Sequence, residues 1–582
     1  MRFPSLETLA LRSREVVLRF PWTMLAGIVA ATSAVIATTE SENMPWVRVA
    51  MAAALGLPLT ISLTLWAEER GWTAGRTAAL NLGGAALLAL FYLFWPGPER
   101  KHEAIRYFQL SAAFHLLVAA LPFLRRPESN AFWQYNRRLF QGILRAALFS
   151  LVLFVGLAIA LCALDQLFNV DVPDKLYLRL FLIIALVVNT AIFLGDVPRG
   201  LRNLAGDTSY PRVLQVFAQY ILTPIVFIYL VLLLAYLIKI IAGGEWPSGW
   251  IGWLVTSVAV AGLLGFLLVH PLRDEAGQGW IRTYSRWLFI GLIPAAIVLL
   301  VAFWKRVLPY GLTELRVLGI LLGVWLLGIA VSYTLRPNSG IRRIPVTLAT
   351  LLLLTVYGPL SGTSLSVSSQ GRRLKEALAA RANQNRETAR EASAALRFLL
   401  EHGAEKQVAA AIPGKVPKVD WDSLPDKRSD RDSAASQILA VAGMGYVPEH
   451  FSRDGHFYFS ADRNAAVPLA GYDWMLEVSS GNALPLLAGA DSVQLRFDTT
   501  AGIARLGMDG DTMVIDLRRL AEMILNEPTL SRHDVPADRL RFDAVTSRHR
   551  ARLALERLDG KMVGDSVHLR GWHGKLFLGR SR

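Results

Sequence analysis

The chain has 582 residues, of which 53% are hydrophobic and 18% charged, with a net charge of +15 and a mean hydropathy of +0.37. Soluble domains carry about 25% charged residues, so a disordered chain, a collagen and a coiled coil are excluded. A single cysteine, Cys162, excludes a disulfide framework and a cysteine-rich metal site.

The positive charge sits mainly in the first part of the chain. Residues 1–360 hold 30 Lys+Arg against 18 Asp+Glu, and residues 361–582 hold 31 against 28. The excess lies in short stretches between apolar runs. That is the pattern of membrane orientation and not of a nucleic-acid-binding face.

About 20 apolar residues are needed for a helix to cross roughly 30 Å of hydrocarbon. Such runs are expected at 20–39, 46–66, 77–95, 108–124, 146–164, 176–194, 216–241, 249–270, 284–304, 317–335 and 344–360, about eleven spans. The four arginines before the first run resemble a signal-peptide n-region. The run is longer than a typical 7–15-residue signal core, so it reads as an uncleaved anchor.

If the N-terminus is cytoplasmic, the inside segments hold 20 Lys+Arg and the outside segments 9. This positive-inside bias, with an odd number of spans, places the C-terminal portion outside the cytoplasm. Trp22, Trp46, Trp66, Trp95, Trp246, Trp250, Trp287 and Trp304 fall near span ends, where an indole keeps its N–H wet.

The apolar runs stop after Gly362. Residues 372–411 read as a helix of several turns, 412–430 as a linker, and 433–442 as a short helix. From Gly455 the hydrophobic period becomes two. The segments HFYFSAD, DWMLEVS, SVQLRFD, GIARLGM, TMVIDL, RARLAL, SVHLRG and KLFLG read as strands, interrupted by a helix at 516–526. Asp509-Gly510 and Asp559-Gly560 are hairpin signals. The expected fold class is an α-helical polytopic membrane bundle followed by a soluble α+β, mostly antiparallel domain. The expected domains are 1–361, a helix and linker at 362–430, and 431–582.

Three stretches carry a resemblance: ILTPIVFIYLVLLLAYLIKIIAGGEWPSGWI at 221–251, YGLTELRV at 310–317 and WQYNRRLF at 133–140. Together they resemble an uncharacterised family of bacterial multi-spanning membrane proteins, a domain of unknown function. The resemblance covers most of the membrane half and implies a bacterial inner-membrane location. It implies no activity and no catalytic residue.

The candidate polar membrane site comprises Glu314, Arg316, His115, Asp165 and Arg179. Burying such groups is costly, so their presence in spans calls for a role or a partner. Thr313 is placed to cap the helix that Glu314 opens, with Glu314 complementing the positive end of the dipole. The alternative is a polar entrance lined by Glu314 and Arg316. His115 is the most interior titratable group, a proton relay or a histidine bonded to a neighbouring helix. Asp165, Lys175 and Arg179 flank one loop and are placed to pair. Asn81 and Asn189 are further polar residues within spans. Pro224 should kink its helix, and Lys239 should snorkel to the interface.

No catalytic signature is present: no G-x-x-x-x-G-K-[ST], H-E-x-x-H, C-x-x-C or G-x-S-x-G. The sequence therefore points to no cofactor and no metal. Its expected partners are the lipid bilayer and an envelope protein or small ligand, and not nucleic acid. Three function classes stand. The first is a membrane-anchored scaffold or sensor with an extracytoplasmic binding domain. The second is a transporter or channel for a small solute. The third is a membrane enzyme acting on lipid-linked substrates.

Overall fold

A computed structural model describes residues 6–39, 44–125, 128–243, 250–274, 278–380, 386–412, 428–447, 456–461, 468–481, 486–488, 491–498, 501–508, 511–526, 533–546, 548–563 and 566–580. The chain forms two compact units, Met1–Gln370 and Gly371–Arg582.

The first unit is helical: α1 (Leu6–Arg19), α2 (Pro21–Ala37), α3 (Met44–Glu69), α4 (Ala74–Phe94), α5 (Lys101–Ala120), α6 (Ser129–Phe168), α7 (Asp174–Ile183), α8 (Asn189–Asp196), α9 (Arg212–Val216), α10 (Thr223–Gly243), α11 (Trp250–Val269), α12 (Gly279–Tyr310), α13 (Glu314–Leu335), α14 (Arg343–Val356) and the start of α15 (Gly362–Ala379). Apolar helices occupy all eleven predicted places. Among the described residues nine are long and apolar enough to cross a membrane, or ten if α1 and α2 count as one bent span. This is a multi-pass membrane protein.

The two short helices have physical causes. Pro21 opens α2, where its missing N–H costs nothing, and it forces Phe20 out of the helical region (φ −125°, ψ 53°), so the chain bends by 101°. α14 has 14 residues, about 21 Å at 1.5 Å per residue, which is less than a hydrocarbon thickness. It runs alongside α5 from Phe123 back to Gln109. Arg342, just before it, donates to the Phe123 carbonyl (3.0 Å), and Thr355 near its end meets Gln109 (2.8 Å).

Proline and glycine shape two other helices. Pro224 cannot donate its backbone bond, and the turn before it, Phe217–Leu222, widens to a π-helix. Thr223 Oγ1 donates to the Ala218 carbonyl (2.7 Å) within that turn. On α13, Gly319 and Gly323 face Phe303 and Leu300 of α12. A Cβ at 319 would stand 2.1 Å from the Phe303 ring, so these glycines let the two helices close up.

The end of the bundle that holds Arg19 is stitched together by polar contacts. Arg19 makes a two-point pair with Glu68 (2.8 Å each) and donates to the carbonyls of Val197 and Pro198. Trp133 Nε1 donates to the Leu267 carbonyl and Tyr210 to that of Leu268, each at 2.8 Å, with the two rings stacked 4.9 Å apart. Asp207 lies 2.9 Å from Arg138 and 3.5 Å from Arg137.

The second unit continues with α16 (Arg386–Glu401), α17 (Glu405–Ala411) and α18 (Arg428–Val441). Its strands are β1 (His456–Ala461), β2 (Trp474–Ser479), β3 (Leu486–Ala488), β4 (Asp491–Asp498), β5 (Ile503–Met508), β6 (Asp511–Asp516), β7 (His533–Val535), β8 (Arg541–Val545), β9 (His549–Val563) and β10 (Ser566–Arg580), with helix α19 (Leu517–Asn526) after β6. One sheet has the order β2-β10-β9-β1-β7, with β8 also on β9. The other has the order β3-β4-β5-β6. All pairings are antiparallel except β1 with β7. One core joins both sheets and α19 through residues such as Phe459, Leu506, Leu517, Leu558 and Trp572.

Several sequence expectations change here. The single helix over 372–411 is broken. α16 ends at Gly403, which takes φ +59° and bonds back to Leu400 while Ala404 bonds to Leu399, a glycine-capped terminus. α18 starts at Arg428, inside the stretch read as a linker, while 413–427 lie outside the described residues. Asp509-Gly510 also lies outside them. Asp559-Gly560 is not a turn but the middle of β9, paired with Tyr458 and Phe457. A Cβ at 560 would stand 2.5 Å from the Phe457 ring and 2.6 Å from the His568 carbonyl. The glycine is required by close packing, not by chain reversal.

Two outcomes follow from this packing and from the Arg19-end contacts. A fragment covering 371–582 should unfold cooperatively, and Gly560→Ala should cost it about 1–3 kcal/mol by overpacking. The shift of the urea midpoint at constant slope checks this. Hydrogen bonds from the Ser209 hydroxyl (2.6 Å) and N–H (3.0 Å), then the Arg138 and Arg137 charges, hold the Asp207 carboxyl down at about 2. A depressed folded-state value contributes stability above the unfolded value of about 4. Asp207→Asn should therefore be less stable than the parent above about pH 5, and the difference should close between about pH 4 and pH 2. Melting temperatures of the detergent-solubilised pair across that range test the sign.

Candidate functional site

At the end of the bundle opposite Arg19, the first turns of α5 and α13, the end of α14 and the start of α15 converge. Their lining residues include His102, Arg106, Gln109, Glu314, Thr355 and Thr363. On α5, His102, Arg106 and Gln109 follow the i, i+4, i+7 spacing of one helix face. Glu103 and Glu314 are both buried, 5% and 8% exposed.

Glu103 is the charge partner of Arg106 and lies 3.4 Å from His102 Nε2. Its backbone carbonyl accepts from Trp95 Nε1 (3.3 Å). The Arg106 guanidinium also lies 5.3 Å from the Tyr357 ring centre. Gln109 Nε2 donates to the Leu352 carbonyl (2.9 Å) and to Thr355 Oγ1 (2.8 Å), and Thr355 donates onward to Leu351 (2.7 Å). Gly362 packs α15 directly on Glu314. The space open to a water centre is about 10 Å³, room for one water. Such a packed cluster of carboxylates, arginine and histidine can hold helix ends in register and position a single water.

Of the sequence candidates, Glu314 alone enters this cluster. Arg316 lies beside it and donates to the Tyr310 (3.2 Å) and Gly311 (2.6 Å) carbonyls where α12 ends, with its charge 5.6 Å from the Tyr310 ring. His115 is exposed on the bundle surface and bonds the Ser111 carbonyl of its own helix (2.7 Å), not a neighbouring helix. Asp165 accepts from its neighbour Gln166, and Arg179 donates across to Thr38 Oγ1 at the end of α2 (2.9 Å), so these bonds stand in place of the expected pairing among Asp165, Lys175 and Arg179. Asn81 donates to Thr64 and to the Thr77 carbonyl, and Asn189 accepts from Ser150. Lys239 is exposed.

Thr313 occupies the N-cap position of α13 with extended backbone (φ −134°, ψ 161°), but its side chain makes no capping bond. His102, Glu103 and Arg106 were missed because the apolar count began that span at 108, and Gln109, just inside it, was passed over as an uncharged residue. The polar i, i+4, i+7 face of KHEAIRYFQ was the available signal. Among the described residues no three His, Cys, Asp or Glu side chains converge on a common point.

Residues 24–388 match the family described as Domain of unknown function (DUF4153). The chain belongs to that family. It is also similar to an uncharacterized protein of Pasteurella multocida (strain Pm70), 25% identical over 275 residues, which are 47% of this chain and 45% of the relative. The match thus spans less than half of that relative's length. No solved structure matches.

Thr313→Ala should change stability by no more than about 0.5 kcal/mol, since no cap bond is lost. Gln109→Leu should cost about 1–3 kcal/mol by removing two buried hydrogen bonds, to the Leu352 carbonyl and to Thr355 Oγ1. Thermal unfolding of the solubilised variants separates the two.

Proposed function

We propose that this DUF4153 protein is a membrane-anchored scaffold or sensor of the bacterial inner membrane. Its N-terminus is cytoplasmic, and its second unit binds a ligand or an envelope partner outside the cytoplasm. The observation that carries this reading is the closed state of the polar cluster. His102, Arg106, Gln109 and Glu314 line a space of only about 10 Å³, room for a single water, beside the buried Glu103. The Asn81 amide nitrogen, Asn189 and Arg179 likewise bond neighbouring side chains or backbone.

The second unit supports the binding role. It has its own core, and edge strand β2 exposes Trp474 and Met475. An exposed apolar edge strand is a template for strand addition by a partner. The orientation is supported by the arginine-rich segments gathered at the Arg19 end and by α14 returning the chain to the Glu314 end.

Alkaline phosphatase fused after residue 582 should be active, and green fluorescence from a fusion at that point would reverse the orientation. In proteoliposomes the protein should pass no more solute or ion current than empty vesicles. A saturable current abolished by Glu314→Gln would replace the scaffold reading with a transporter.

A further inference from the structure

A second cavity lies at the Arg19 end, between α11, α12 and α13. Its wall includes Arg273, Arg282, Ser285, Arg286, Tyr333 and Asn338. About 90 Å³ is open to water centres, several times what one water needs. Arg282 and Arg286 stand four residues apart on one face of α12, in its first two turns, with Ser285 between them. Arg273 enters from the turn after α11, donating to the Pro337 carbonyl at 3.5 Å. Among the described residues that line the cavity, none is acidic.

The inner wall is aromatic and rigid. Phe289 and Tyr333 stack at 4.7 Å, and Phe266 meets them edge-on at 4.9 and 5.4 Å. Tyr333 is fixed by its bond to the Gly340 carbonyl (3.0 Å).

We propose that this cavity binds a phosphate-bearing anion. Planar guanidinium groups match phosphate with two parallel bonds. The N-terminal turns of the 32-residue α12 add a positive field. Basic pockets between spanning helices at the membrane surface hold anionic head groups, and a soluble phosphate ester presents the same chemistry.

The full-length protein in phosphatidylcholine nanodiscs tests this. Its melting temperature is followed while inorganic phosphate is added, or while phosphatidylglycerol replaces phosphatidylcholine, at fixed ionic strength. A rise with phosphate alone assigns a soluble anion, and a rise only with phosphatidylglycerol assigns a lipid head group. In either case Arg282→Gln with Arg286→Gln should weaken the effect about tenfold or more, each lost charged bond being a substantial share of the affinity. Ser285→Leu, which fills the space and keeps the charges, should weaken it too, and it carries the test if the arginine variant fails to fold. Arg125→Gln with Arg212→Gln, which removes the same charge from the same end, should leave it intact. No rise with either ligand, or an equal loss in that control, overturns the proposal.

Discussion

Carbonyls at the C-terminal ends of helices have no partner within their own helix, and hydrocarbon offers none. In this bundle the partner is repeatedly a side-chain donor from another element. Gln109 serves Leu352, Tyr135 serves Val118, Trp133 and Tyr210 serve Leu267 and Leu268, and Arg342 serves Phe123. Arg316 does the same for Tyr310 and Gly311. These bonds tie neighbouring helix ends in register. Burial of apolar side chains cannot do this inside a membrane, because lipid tails are as apolar as leucine.

The same constraint accounts for polar residues placed within the helices of this family member. Asn81, Asn189, Gln109 and Arg179 are committed to hydrogen bonds between or within helices. Arg106 and Glu103 compensate each other where burial of one alone would be expensive.

The span positions were legible because hydropathy over about 20 residues is a strong signal, and the strand segments because the period shifts to two. The helix over 372–411 misled because its composition is helical throughout and a single glycine at 403 ends one helix. Asp559-Gly560 misled because a glycine needed to admit Phe457 looks the same in sequence as one needed for a turn. The polar cluster was half legible. Glu314 stood out as a charge at a span start, while its neighbours on α5 come from more than 200 residues away in the chain. No local pattern encodes that proximity. Thr313 has the right residue type and backbone for a cap, yet its hydroxyl is unused.

The short reach of α14 bears on the surrounding lipid. Its two ends are pinned, at Phe123 and at Gln109, and Leu353 and Leu354 face outward between them. A helix of about 21 Å cannot tilt to match a thicker bilayer. The acyl chains beside it must shorten or splay instead, at a fraction of a kcal/mol per Å of mismatch. A full-thickness bilayer is therefore mismatched at that flank, which favours thin or disordered lipid beside it.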